Sequence, residues 1–165
     1  MTSGWDNFQE LVKEQMRKVY AEPFIEHSLD PKNVGDMEDA DSYVSVLGSC
    51  GDRMELYLKV HDDRITDATF YTDGCSATIA CGSMLTELAK NKTLGEALAI
   101  SAKVLIEKLG GLPEDHVHCA GLASLTLKKA VMEYMNLRKE PWKKVYRDRD
   151  MRNNPIMVDE TKEIH

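Results

Sequence analysis

Six side chains in this sequence are equipped for metal or sulfur chemistry and stand beside others of their kind. They are Cys50 and Asp52 in "SCGDRM", Cys75 in "TDGCSAT", and His116, His118 and Cys119 in "EDHVHCAG". Thiolates next to carboxylate and imidazole make a mixed sulfur, oxygen and nitrogen donor set, the chemistry that holds zinc or iron. Asp73, two residues before Cys75, adds a further oxygen donor. No two of these cysteines have the close C-x2-C spacing of a zinc ribbon, so a shared site exists only if folding brings distant segments together. A thiol at a helix start is a better thiolate, because unpaired amides and the positive end of the helix dipole stabilise the anion. Cys75 and Cys119 both precede helix-forming sequence. Cys81, the remaining cysteine, points roughly 120° away from Cys75 at about 100° of rotation per residue. That direction holds Ala77, Ala80, Met84 and Leu88, so Cys81 reads as a packed core residue.

The elements that must position these groups are legible from periodicity. In "RMELYLKV" the apolar Met54, Leu56, Leu58 and Val60 alternate with other residues, the pattern of a half-buried strand. "SYVSVLG" before Cys50 and "ITDATFYT" before Cys75 supply its neighbours, and "HDDR" supplies a turn, giving a three-stranded antiparallel meander. Cys50 and Cys75 therefore lie at strand ends. Helix formers dominate after Gly74, with Thr93 and Glu96 as a capping box and Gly110 as a stop. "LPEDHVHC" reads as an extended linker into a long helix with Ala123, Leu127, Ala130 and Tyr134 on one stripe. The fold class expected is α+β, a three-stranded antiparallel sheet with helices packed on one face and a metal site at one end.

Flanking segments are less regular. Trp5, Phe8, Val12, Met16 and Val19 form an apolar helical stripe, and the Pro- and acid-rich stretch after it reads as a loop. The organisation expected is residues 1–40 as N-terminal helix and connector, 41–138 as the site-bearing domain, and 139–165 as a mobile polar tail.

With 165 residues, 42% of them hydrophobic, the chain suits one domain, and a net charge of −7 speaks against nucleic-acid binding. No apolar run reaches the roughly 18 residues a membrane span needs, and the N-terminal stretch lacks the pattern of a secretory signal, so a cytoplasmic protein without membrane contact is expected. A reducing compartment leaves the cysteines free, packed, reactive or metal-bound. A thiol enzyme built on Cys119 and His118 would need a base within reach and an oxyanion site, and no sequence feature supplies either.

From about Tyr20 to Leu137 the chain resembles the U-type iron-sulfur cluster assembly scaffolds, IscU and the N-terminal domain of NifU. The carriers are "HSLDPKNVG", "CGDRMELYLKV", "FYTDGCSATIACGSMLTE" and "HVHCAGLASLTLKKAV", in the family's order. The resemblance implies a scaffold without turnover of its own. It would assemble a 2Fe-2S cluster from iron and sulfur delivered by a cysteine desulfurase and pass it to acceptor or carrier proteins. It places the ligands at Cys50, Cys75 and Cys119, with the fourth position open between Asp52 and His118. It also implies that Asp52 governs cluster lability; Cys119, a helix-start thiol on a linker, is read as the persulfide acceptor. A homo-oligomer of the loaded protein is left open. The alternative is a zinc-binding sulfur acceptor that activates a desulfurase, as SufU-like proteins do, with zinc in the isolated protein. Two departures stand out: "LPEDH" replaces the family's chaperone-recognition Leu-Pro-Pro-Val-Lys, which speaks against that chaperone as a partner, and His116 stands where the lysine would be.

Overall fold

The structure, a computed structural model, describes residues 3–163; the outermost residues of the expected N-terminal segment and tail lie outside them. In chain order the elements are α1 (Gly4–Arg17), α2 (Glu22–Leu29), β1 (Ser42–Leu47), β2 (Arg53–His61), β3 (Arg64–Thr72), α3 (Ser76–Ala89), α4 (Leu94–Leu98), α5 (Ala102–Lys108), α6 (Val117–Lys139), α7 (Lys144–Asn153) and β4 (Ile156–Met157). Short 3-10 helices occupy Glu114–His116, Pro141–Lys143 and Glu160–Glu163.

The expected meander forms, with β2 antiparallel to both β1 and β3. Asp62 and Asp63, at φ of 52° and 59°, make the tight β2–β3 turn, since two consecutive left-handed residues match the strand twist. Val44, Val46, Met54, Leu56, Leu58, Ala68 and Phe70 are buried under α3 and α6. Ser42 donates from the same face to the Ala130 carbonyl of α6 at 2.7 Å. This layer brings the Cys50 turn, the start of α3 and the start of α6 to one end of the sheet.

Three expectations change. The sheet has four strands in the order β3-β2-β1-β4, because β4 adds parallel to the outer edge of β1 through Val46 and Leu47. The helices are not confined to one face: Arg152 of α7 sits 4.7 Å above the Tyr43 ring on the opposite face, and Tyr57, which alternation turned outward, is buried beside it. The polar C-terminal segment, read as mobile because it lacks apolar periodicity, is folded; Met151 and Glu160 are its buried anchors, and the Arg147 guanidinium pairs with the buried Glu133 of α6. Such anchors are single residues, which no periodicity test detects.

The connector also contains a helix. Pro23 is in the first turn of α2, where its missing N–H costs nothing, and Phe24 behind it is fully buried and stacks on Tyr20. By contrast α1 forms as its stripe predicts, with a Ser3–Asp6 capping box, yet buries no residue completely. The Thr93–Glu96 capping box and the stop at Gly110, φ +84°, stand as read.

Candidate metal centre

Cys50 rides on the turn between β1 and β2. The turn is closed by the Gly48 N–H donating to the Asp52 carbonyl at 2.8 Å and the Gly51 N–H to the Gly48 carbonyl at 3.1 Å. Gly51 takes a φ of +93°, which side-chain-bearing residues rarely adopt. Asp52 returns the chain into β2. Across the β2–β3 pair, the Asp73 carboxylate accepts from the Arg53 N–H at 2.9 Å, so Asp73 is a structural brace of the turn.

Cys75 is the N-cap of α3 and is exposed. Partial burial alone would push its thiol up; the Thr78 and Ala77 amides and the Thr78 hydroxyl outweigh this and leave it below the ordinary thiol value. Cys119, in the first turn of α6, is fully buried, and desolvation pushes its thiol up to about 12 despite the Thr78 hydroxyl. Burial also raises Cys50, the Asp52 amide pulls it partly back, and the Glu160 and Asp52 carboxylates add to the rise. Cys81 is buried in the core, its thiol driven well up by desolvation and by the neighbouring Cys119 and Cys75. The linker expected to be extended before Cys119 instead winds into the 3-10 helix Glu114–His116.

The five predicted site residues gather at this end of the sheet in two groups. Donor atoms of Cys50, Asp52 and His118 lie within 4.8 Å of one another, and so do those of Cys75, Cys119 and His116. Two contacts join the groups: the Thr78 hydroxyl donates to Asp52 Oδ2 at 3.0 Å, and His118 Nε2 lies 3.6 Å from Cys119 Sγ. Thr78 is one residue that sequence reasoning missed. Its Oγ1 is also 3.3 Å from Cys119 Sγ and 3.6 Å from Cys75 Sγ, so one buried hydroxyl touches both groups. Its position three residues after the Cys75 N-cap was the available signal, since that residue's side chain returns toward the cap. Gly74 is required by the same crowding: a Cβ there would lie 2.8 Å from the Thr78 side chain and 2.9 Å from Asp52 Oδ2.

His116, which stood beside the predicted ligands in the sequence, joins the two thiols. Among the described residues its buried Nδ1 has no hydrogen-bond partner. A further carboxylate arrives from the C-terminal segment. Glu160 is fully buried, and its Oε2 accepts from the Ser49 N–H at 2.8 Å and the Ser49 hydroxyl at 3.1 Å. Burial would raise its carboxyl, but the Ser49 and Glu160 amides, the adjoining Cys50 thiol and the Ser49 hydroxyl hold it below the usual range.

Thiols, imidazoles and a carboxylate converging at helix starts and a glycine turn form a candidate soft-metal centre carried on an α+β scaffold. The family described as NifU-like N terminal domain matches residues 19–141, most of the chain, and the chain belongs to that family. An iron-sulfur cluster assembly scaffold protein, IscU 1, of Archaeoglobus fulgidus is 47% identical over 118 residues, covering 70% of this chain and 76% of that protein. The IscU scaffold protein of Escherichia coli K12 is 40% identical over 125 residues, covering 73% and 97%. The nitrogen fixation protein NifU of Trichormus azollae is 40% identical over 127 residues, which span 72% of this chain and 42% of that protein. Among solved structures, FiSufU of Fervidobacterium islandicum AW-1, named for the SUF system, aligns with a TM-score of 0.57 at 27% identity over 69% of this chain and 97% of that one. Among the described residues, no helix is long and apolar enough to cross a membrane.

Proposed function

We propose that this protein is an iron-sulfur cluster assembly scaffold: it receives iron and desulfurase-derived sulfur, holds them as a 2Fe-2S cluster, and passes the cluster to acceptor proteins. The observation that carries this reading is the pair of donor groups meeting at Thr78, because a dinuclear cargo needs ligands on two metal ions and a single mononuclear site does not. Cys50, Cys75 and Cys119 act as thiolate ligands. The fourth place falls to Asp52 or His118, both in the group with Cys50. A carboxylate is a hard partner for iron beside soft sulfur, so Asp52 keeps the cargo exchangeable. No turnover of substrate by the protein itself is part of this function, and the site works in the cytoplasm.

Cys119 is the proposed persulfide acceptor. Its buried thiol must first be uncovered to meet the desulfurase. His116 takes the place of the family's chaperone-recognition lysine, and its grouping with Cys75 and Cys119 favours a ligand role over chaperone recognition.

Anaerobic reconstitution with ferrous iron and a sulfur source tests the function. Visible absorption and metal content should report one 2Fe-2S cluster per site; zinc alone bound under those conditions would sink the scaffold reading. Mass spectrometry after incubation with a cysteine desulfurase should find added sulfur on Cys119, and labelling confined to Cys75 would refute that assignment. The zinc-binding, desulfurase-activating alternative is favoured by one feature, the compact Cys75, Cys119 and His116 group, whose two sulfurs and one nitrogen suit tetrahedral zinc.

A further inference from the structure

The family match ends at residue 141, yet the segment beyond it reaches the centre. Residues 156–160 run beside β1 and its following turn: Ile156 and Met157 pair with Val46 and Leu47, and the Val158 N–H donates to the Leu47 carbonyl at 3.0 Å. Glu160 then lies over the turn itself. A Cβ on Gly48 would be 2.9 Å from its Oε1, and a Cβ on Gly121 of α6 would be 2.8 Å from its backbone oxygen, so two glycines make the berth for this one residue. A fully buried carboxylate is expensive unless satisfied. Here Oε2 is satisfied by the two donors of Ser49, and the Cys50 thiol adjoins the carboxylate.

We propose that Glu160 is a positioning residue for the metal centre: by clamping Ser49 through both of its donors, it fixes the turn that presents Cys50 to Asp52 and His118. Asp73 and Thr78 brace the far end of the turn, at Arg53 and Asp52, whereas Glu160 holds its Ser49 end. Cys50 is exposed, Gly51 beside it is conformationally free, and the turn's own backbone bonds close it upon itself without tying it to α6. Glu160 provides that tie, since its backbone lies on α6 and its side chain on the turn. The inference rests on Cys50 being a ligand.

Cobalt(II) titration of the metal-free, full-length protein tests it without iron or sulfide. The thiolate-to-cobalt charge-transfer absorption grows with each sulfur bound, and Cys50→Ala sets the level expected when this sulfur is lost. Glu160→Ala should fall to the Cys50→Ala level with its circular dichroism unchanged. Glu160→Gln, whose amide oxygen still accepts from Ser49, should restore the band. Gly121→Ala, which pushes the Glu160 backbone off α6 and leaves the carboxylate chemically intact, should lower it as Glu160→Ala does, and serves if Glu160→Ala fails to fold. An unchanged band in Glu160→Ala or Gly121→Ala would overturn the proposal, as would a band lost equally in Glu160→Gln. A Cys50→Ala band equal to that of the unaltered protein would instead remove Cys50 from the ligand set, and with it the reading on which the inference stands.

Discussion

The start of α3 and the turn before β2 each present an exposed cysteine to the same centre, and they prepare it in opposite ways. Cys75 meets the free amides of a helix end, which lower its thiol despite partial burial. Cys50 has burial and two carboxylates against it and a single amide in its favour. One thiol is biased toward the anion and the other against it. The environment within a few ångströms, more than the residue type, decides which cysteine does which part of the chemistry.

The largest effect should separate the two by deletion. Cys75→Ala should abolish cobalt and cluster binding, because it removes the readiest thiolate. Cys50→Ala should leave weaker binding on Cys75, Cys119 and His116. Metal content after gel filtration reads both, and equal loss in the two variants would erase the contrast. Gly74→Ala strikes the link between the groups. The added methyl meets Thr78 and Asp52, and overpacking of this kind costs ~1–3 kcal/mol. A lowered denaturant midpoint together with weakened metal binding is expected.

Alkylation sharpens the comparison directly. With its thiol below the ordinary value, Cys75 should react with iodoacetamide at lower pH than the others in the metal-free protein. Cys50 should follow as pH rises through and beyond the usual thiol range. Cys119, at about 12, should stay unreactive until the fold is disturbed. Peptide mass spectrometry across a pH series checks the order, and early labelling of Cys50 would contradict it. Asp52→Ala should yield a longer-lived cluster, read as slower loss of visible absorption to a chelator; faster loss would count against a role in release. The smallest effect belongs to Cys81→Ala, which should keep metal stoichiometry while costing ~1 kcal/mol for its small cavity.

The same contrast explains what the sequence could show. The three strands, the helix start at Cys75 and the packed state of Cys81 follow from short-range periodicity. The placing of Cys50, Cys75 and Cys119 at element ends follows from it too, whereas the set of Cys50, Asp52, Cys75, His118 and Cys119 was implied by the family resemblance. Thr78 was within reach of the same logic, three residues after a cap. The division of donors into two groups was not, because it depends on how α6 meets α3. Nor were the fourth strand and Glu160 legible: β4 is two residues long, and its segment contributes by single buried contacts in a charged stretch without periodicity.

The bond from Ser49 to Glu160 joins residues 111 positions apart in the chain. Contacts of such separation carry a large loop-closure cost and form after the local strands and helices that bring their ends together. During folding, the sheet and the Cys75 helix start can therefore be native while the Cys50 turn is still untethered. A chain caught at that stage would hold Cys75 and Cys119 in place and leave Cys50 loose. The order of folding thus sets an order of competence, in which the centre becomes complete with one of the last long-range contacts to close.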